Sequence, residues 1–125
     1  MSLETIRLSQ PARDTLVRLK RTTGIKNWNV LCRWALALSL HDSSTPLVKE
    51  IVADSNVEMN WKTFAGSYGD VYLALLKHRC AADGEPITDE VVSRTLSIHL
   101  HRGIGYLAGN KDVRTIRELV ASAAE

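Results

Sequence analysis

Thr5-Ile6-Arg7-Leu8-Ser9 alternates polar and apolar residues, the period of two that predicts a short half-buried strand. Ser9 or Gln10 then opens a helix, with Pro11 suited to its first turn. Ala12, Leu16, Leu19 and Thr23 recur at helical spacing and form one narrow packing stripe, and Gly24 is the expected C-terminal stop. On the same helix Arg13, Lys20 and Arg21 fall on the strip beside that stripe. Asp14 stands four residues before Arg18 and is its expected partner. A tight turn, Gly24-Ile25-Lys26-Asn27, leads into a second helix capped by Asn27 or Asn29. Over residues 30–40 that helix is apolar on nearly every side, so it must be covered on every side. A chain this small is expected to need a second subunit for the purpose, which assigns Leu31, Trp34 and Leu38 to an oligomer interface.

Residues 41–46 form a polar break, and 46–56 read as an irregular crossover. Phe64, Tyr68, Val71, Tyr72, Leu75 and Leu76 then recur with helical period. Gly66 and Gly69 interrupt that run and mark either a break or a close backbone approach. Ala82-Asp83-Gly84 ends the helix, and Thr88 caps the next, with Asp89 and Glu90 in its first turn. Val91, Val92, Leu96 and Leu100 point inward from it, and the glycines within 102–109 read as its end. Asn110 is placed to cap a last helix with Val113, Ile116 and Val120 on one face. The expectation is an all-α, compact multi-helix domain over residues 1–125 with a short N-terminal strand. Residues 1–40 form a basic strand-helix-helix front and 41–125 a helical body.

Charge sharpens this picture. Residues 1–40 hold seven Lys and Arg against two acids, residues 41–70 hold two against five, and the remainder is balanced at seven of each. A basic front joined to a neutral body suits a polyanion partner. No run approaches the roughly 20 apolar residues of a membrane span, and the start of the chain lacks a signal-peptide pattern. Cys32 and Cys80 form no CxxC pair, which points to a reduced, intracellular protein.

The front half resembles a ribbon-helix-helix module, in which strands from two chains pair and enter the major groove. Ile6 and Leu8 would face inward, Thr5, Arg7 and Ser9 outward. His99 and His101 lie two apart on a helix, about 200° from each other, and cannot share one metal ion. One of them is expected to be buried and satisfied, while His101 and Arg102 meet a phosphate or a neighbouring subunit. Asp54, Glu58 and Asp70 are the carboxylates to weigh for metal-dependent nuclease chemistry, but the Glu-x-Lys such sites use is missing at the expected place. The glycines within 103–109 lack the Lys-Ser or Lys-Thr of a nucleotide loop. Trp28, Trp34 and Trp61 read as core or interface anchors before they read as base-stacking platforms. No metal and no cofactor is expected.

Several strings taken together resemble the DndE family, the small subunit of the bacterial DNA phosphorothioation system. They are Ile6-Arg7-Leu8-Ser9, Asn29-Val30-Leu31-Cys32-Arg33-Trp34-Ala35, Ala53-Asp54-Ser55-Asn56-Val57-Glu58-Met59, Leu75-Leu76-Lys77-His78-Arg79-Cys80 and His99-Leu100-His101-Arg102-Gly103-Ile104-Gly105-Tyr106-Leu107. The resemblance runs from about Ile6 to Gly109. It implies a cytoplasmic bacterial protein working beside a sulfur-transferring subunit and an ATPase-like subunit. It also implies a homo-oligomer, a tetramer, that binds double-stranded DNA with a preference for nicked duplex. On this basis the chain is expected to be a non-catalytic DNA-binding subunit. Its phosphate contacts are assigned to Arg7, Arg13, Lys20, Arg21, Lys26 and Arg102. The rivals are a ribbon-helix-helix transcription regulator, a structural adaptor that binds an acidic protein partner, and a nicking enzyme acting through Asp54 or Glu58.

Overall fold

The computed structural model describes residues 5–47 and 51–109, and the helix expected after Asn110 lies outside them. Strand β1 (Thr5–Arg7) leads to α1 (Gln10–Thr23) and α2 (Trp28–His41). After an irregular stretch come β2 (Glu58–Asn60), the short α3 (Trp61–Ala65), a single 3-10 turn (Gly66–Tyr68), α4 (Gly69–Ala82) and α5 (Asp89–Gly109).

The local signals act as their chemistry dictates. Ser9 Oγ accepts from the Ala12 amide at 3.2 Å and starts α1. Gly24, at φ +76°, closes α1 in the left-handed conformation that glycine adopts without a Cβ penalty. Asn60 caps α3 through Thr63 N at 2.7 Å, and Thr88 Oγ1 accepts from Val91 N at the start of α5. The expected helix across Gly66 and Gly69 is broken, because Gly66 turns to φ +61° between α3 and α4.

One expectation is refined. The strand has a partner within its own chain. β1 runs antiparallel to β2 of the same chain, with Ile6 opposite Met59 and Arg7 opposite Glu58. Leu8 extends this contact through its amide to Val57 O and its carbonyl to Ser55 N, both at 3.1 Å. The front of the chain thus contains an intrachain two-stranded sheet, which a ribbon-helix-helix start does not include. As expected, the described part of α5 reaches the end of the glycine-spaced stretch, running through Gly103 and Gly105 to Gly109.

The core is a cluster of buried side chains from all of these elements, centred on α2 and α5, with Leu31, Ala35, Leu36, Phe64, Leu76, Leu100 and Ile104 at its heart. α5 packs along α2, α1 and α3 add to its cover, and α4 packs on α5 and α3. The all-round apolar α2 is thus covered largely within one chain. Leu31 is 0% exposed and has no surface left for a partner, while Trp34 and Leu38 are half-buried. No helix among the described residues is long and apolar enough to cross a membrane.

Candidate nucleic-acid interface

The basic front is organised by α1. Its buried face, Ala12, Leu16, Leu19 and Thr23, turns to the core, which sends Arg13, Lys20 and Arg21 to the other side. Lys20 and Arg21 occupy the last turn, where cations favour the negative end of the helix dipole. Thr23 Oγ1 accepts from Ile25 N while donating to Leu19 O at 2.6 Å, so the turn into α2 is short and fixed. That turn brings Lys26 beside Lys20.

Lys20 and Lys26 line one shallow depression of about 270 Å³, whose other walls include Asn27, Trp28, Asn29, Glu58 and Thr63. The Lys20 ammonium sits 4.4 Å from the centre of the Trp28 ring, within the range of a cation–π attraction. The first turn of α2 opens at the same place, and its N-cap Asn27 makes no side-chain bond to the α2 amides. α1 differs: Asp54 Oδ1 accepts from Gln10 N at 2.8 Å and His101 Nε2 accepts from Ser9 N at 3.0 Å, alongside the Ser9 cap. Two cations from different elements thus converge where a helix offers free N–H groups, an arrangement able to hold a phosphate.

The other sequence-assigned residues are distributed unequally. Arg21 and Lys26 are exposed at this end of the molecule. Arg13 lies on α1 in an ion pair with Asp14 at 3.3 Å, and Asp14 also accepts from Gln10 Nε2, in place of the expected Arg18 partner. Arg7 stands on β1, ion-paired across the sheet with Glu58; both side chains are exposed, and such pairs contribute little to stability.

Arg102 belongs elsewhere. Its Nε donates to Ser39 Oγ at 2.8 Å, its Nη2 to Ser39 O at 2.8 Å, and its Nη1 to Ser44 O at 2.9 Å. Arg79 donates from α4 to the Leu40 and Asp42 carbonyls. Two guanidinium groups therefore close the C-terminal end of α2, and Arg102, assigned to a phosphate from the sequence, directs its N–H groups into this clamp. His101 is likewise engaged: with Nε2 accepting from Ser9, its Nδ1 donates to Ser97 O at 2.7 Å.

His99 is the buried, satisfied histidine. Ser39 Oγ, which accepts from Arg102 Nε, shares a hydrogen bond of 2.8 Å with His99 Nδ1. Burial first, then the Arg79 and Arg102 charges, push its pKa down to about 4. Burial lowers that of His101 as well, against the raising effect of its Ser97 bond. On the exposed rim, the Tyr106 hydroxyl donates to Asp42 at 2.7 Å and holds that carboxyl well below the usual carboxylate range.

The weighed acids do not gather. Asp54 caps α1 and Glu58 pairs with Arg7. Among the described residues no three His, Cys, Asp or Glu side chains converge as a metal ion would require. Asn29 reads from the sequence as a residue at the start of the second helix and Trp28 as a core or interface anchor, and the structure puts both in the wall of the depression. The legible signal for a site there is an aromatic flanked by asparagines directly after Lys26.

The family model described as DNA sulphur modification protein DndE matches residues 5–115. The fold is similar to the crystal structure of DndE from Escherichia coli B7A involved in DNA phosphorothioation modification. The TM-score is 0.71 at 22% identity, with 86% of this chain and 98% of that one covered. It is also similar to a glycine-to-lysine mutant of DndE involved in DNA phosphorothioation, at TM-score 0.65 and 19% identity, over 83% of this chain and 95% of that one. No curated protein matches the sequence.

Proposed function

Because this chain belongs to the DndE family of DNA sulphur modification proteins, we propose that it is the non-catalytic DNA-binding subunit of that system. It holds duplex DNA, nicked duplex included, through phosphate contacts from Lys20, Arg21 and Lys26, with Arg13 and Arg7 at the margin. The observation that carries this reading is the convergence of Lys20 and Lys26 on one depression at the open first turn of α2. Lysine and arginine contacts of this kind give affinity without sequence choice. In this reading the protein works in the bacterial cytoplasm beside the sulfur-transferring and ATPase-like subunits.

The reading includes a homo-oligomer, a tetramer, but moves its contact surface. With Leu31 sealed in the core, three of the exposed large apolar side chains lie together on α4 and the turn before it. Tyr68 is 61% exposed, Val71 55% and Leu75 47%. Val71 and Leu75 lie one turn apart on one face of α4, beside Asp70, Ala74 and His78, with Tyr68 in the turn before it. A contiguous apolar stripe of this kind marks an interaction surface.

Salt-titrated binding to intact and nicked duplex, with the mass of the assembly measured in parallel, tests the proposal. The wild-type association constant falls steeply with salt, and the double variant Lys20→Glu/Arg21→Glu binds weakly while keeping its helical content and mass. Affinity unchanged by that double reversal at low salt overturns the reading. A wild type that ignores duplex but captures an acidic protein favours the adaptor instead, and metal-dependent nicking abolished by Asp54→Ala would make the subunit an enzyme.

A further inference from the structure

We infer that Trp28 is a positioning residue for the phosphate contact: its ring face holds the Lys20 ammonium at the rim of the depression that Lys26 shares. The inference rests on the DNA-binding reading above and adds a residue to it. An exposed lysine samples many rotamers, and a phosphate that binds it must first select one of them. Here the selection is made in advance. Lys20 Nζ lies 4.4 Å from the ring centre, where the negative face of the indole attracts it. Trp28 is itself fixed, as the first residue of α2, half-buried and packed against the core. The contact also spans the turn between the two helices, so the end of α1 and the start of α2 present their cations as a unit. Lys20 and Trp28 both remain in the wall of the depression, which leaves the ammonium open to a phosphate on its other side. With the ammonium on its face, the ring acts through Lys20 and not by stacking on a base.

The test is a double-mutant cycle on duplex binding across a salt series, using the full chain, with thermal melts ensuring that each variant is folded at the temperature used. Trp28→Leu is expected to weaken binding by about two- to fivefold, while Trp28→Phe, which keeps a ring face, recovers most of the loss. In a Lys20→Ala background, Trp28→Leu costs nothing further. The salt series adds a second readout. Lys20→Ala lowers the slope of log K against log[salt] by about 0.9, but Trp28→Leu leaves the slope at the wild-type value, since the charge is present and only its placement is lost. A Trp28→Leu cost that persists undiminished without Lys20 overturns the inference, because the ring would then touch DNA or support the fold on its own. So does a Trp28→Leu variant that binds as the wild type does while Lys20→Ala is impaired. Duplex binding that Lys20→Ala leaves untouched sinks the phosphate reading itself, and is recognised by that variant alone.

Discussion

Gly103 of α5 lies against the backbone of Ala35 in α2: a Cβ built on Gly103 would fall 1.7 Å from the Ala35 carbonyl oxygen. The two longest-packed helices of the core meet at this point, and no side chain fits between them. Gly105, two residues on, has nothing within 4 Å of the corresponding position. Gly103→Ala must therefore push α5 off α2, and backbone cannot yield as a flexible side chain does. It is expected to cost about 3 kcal/mol or more. Gly105→Ala removes a helix-interior glycine at no steric cost and is expected to gain about 0.5–1 kcal/mol. Denaturant unfolding of the two variants checks both signs, and equal effects would mean that the close approach is not there.

The histidines give stability a defined pH dependence. His99 is neutral, 2% exposed and bonded to Ser39, with its pKa pushed down from 6.5 to about 4. The unfolded chain takes up that proton first, so the contribution is fully present above pH 6.5 and is lost as pH falls toward 4. His101 acts in the same direction. For His99 the loss amounts to about 3 kcal/mol. At the other end, burial pushes the Cys32 thiol from 9.0 up to about 12, so stability is retained to about pH 9 and falls above it. Unfolding free energy measured across pH should show a plateau between these limits. Replacing His99 with Gln should flatten the acid limb without abolishing it, since His101 remains.

These cases show where the sequence was legible. α1 could be read nearly to the residue because Ser9, Pro11 and Gly24 act within one or two turns of the chain. β2 could not: three residues with one inward Met59 make no pattern until Ile6, some fifty positions away, lies opposite. The all-round apolar α2 was read as a helix needing complete cover, and most of that cover comes from α5, with α3 and α1, a tertiary fact that periodicity does not encode. The glycines of this stretch could be read as permitting close packing near a helix end, but only the fold says which one does so: Gly103 meets the α2 backbone and Gly105 meets nothing. At the candidate site, Lys20 and Lys26 were legible as charge. What separates them from Arg102 is whether a carbonyl elsewhere in the fold already holds the group.

Arg102 makes that separation testable. Its guanidinium bridges α5 to Ser39 and Ser44 at the C-terminal end of α2 through charge-assisted bonds, part-buried at Ser39. Arg102→Ala leaves those carbonyls and the Ser39–His99 pair unsupported, and is expected to cost about 2–3 kcal/mol of stability. Duplex affinity per folded molecule should stay at the wild-type level. Lys20→Glu should behave in the opposite way, with little change in stability and a clear loss of binding. Paired melts and binding isotherms distinguish the two residues, and a stable Arg102→Ala variant that fails to bind DNA would return Arg102 to the interface.

The α4 face supplies the last test. Val71 and Leu75 are half exposed and one turn apart, so each leaves apolar surface in water that only an added partner can remove. A charge placed there should cost the isolated protomer little, because the side chain already faces solvent. In an assembly it would be buried without a counter-ion, which is prohibitive. The double variant Val71→Glu/Leu75→Glu is therefore expected to melt within about 0.5 kcal/mol of the wild type under conditions where both are monomeric, and to sediment as a monomer at concentrations where the wild type assembles. Leu31→Glu should do the reverse and fail to fold, since Leu31 is core and not surface. If the α4 variant assembles as the wild type does, the subunit contact lies on another face. The basic front, on α1 and the start of α2, would then be the next to probe.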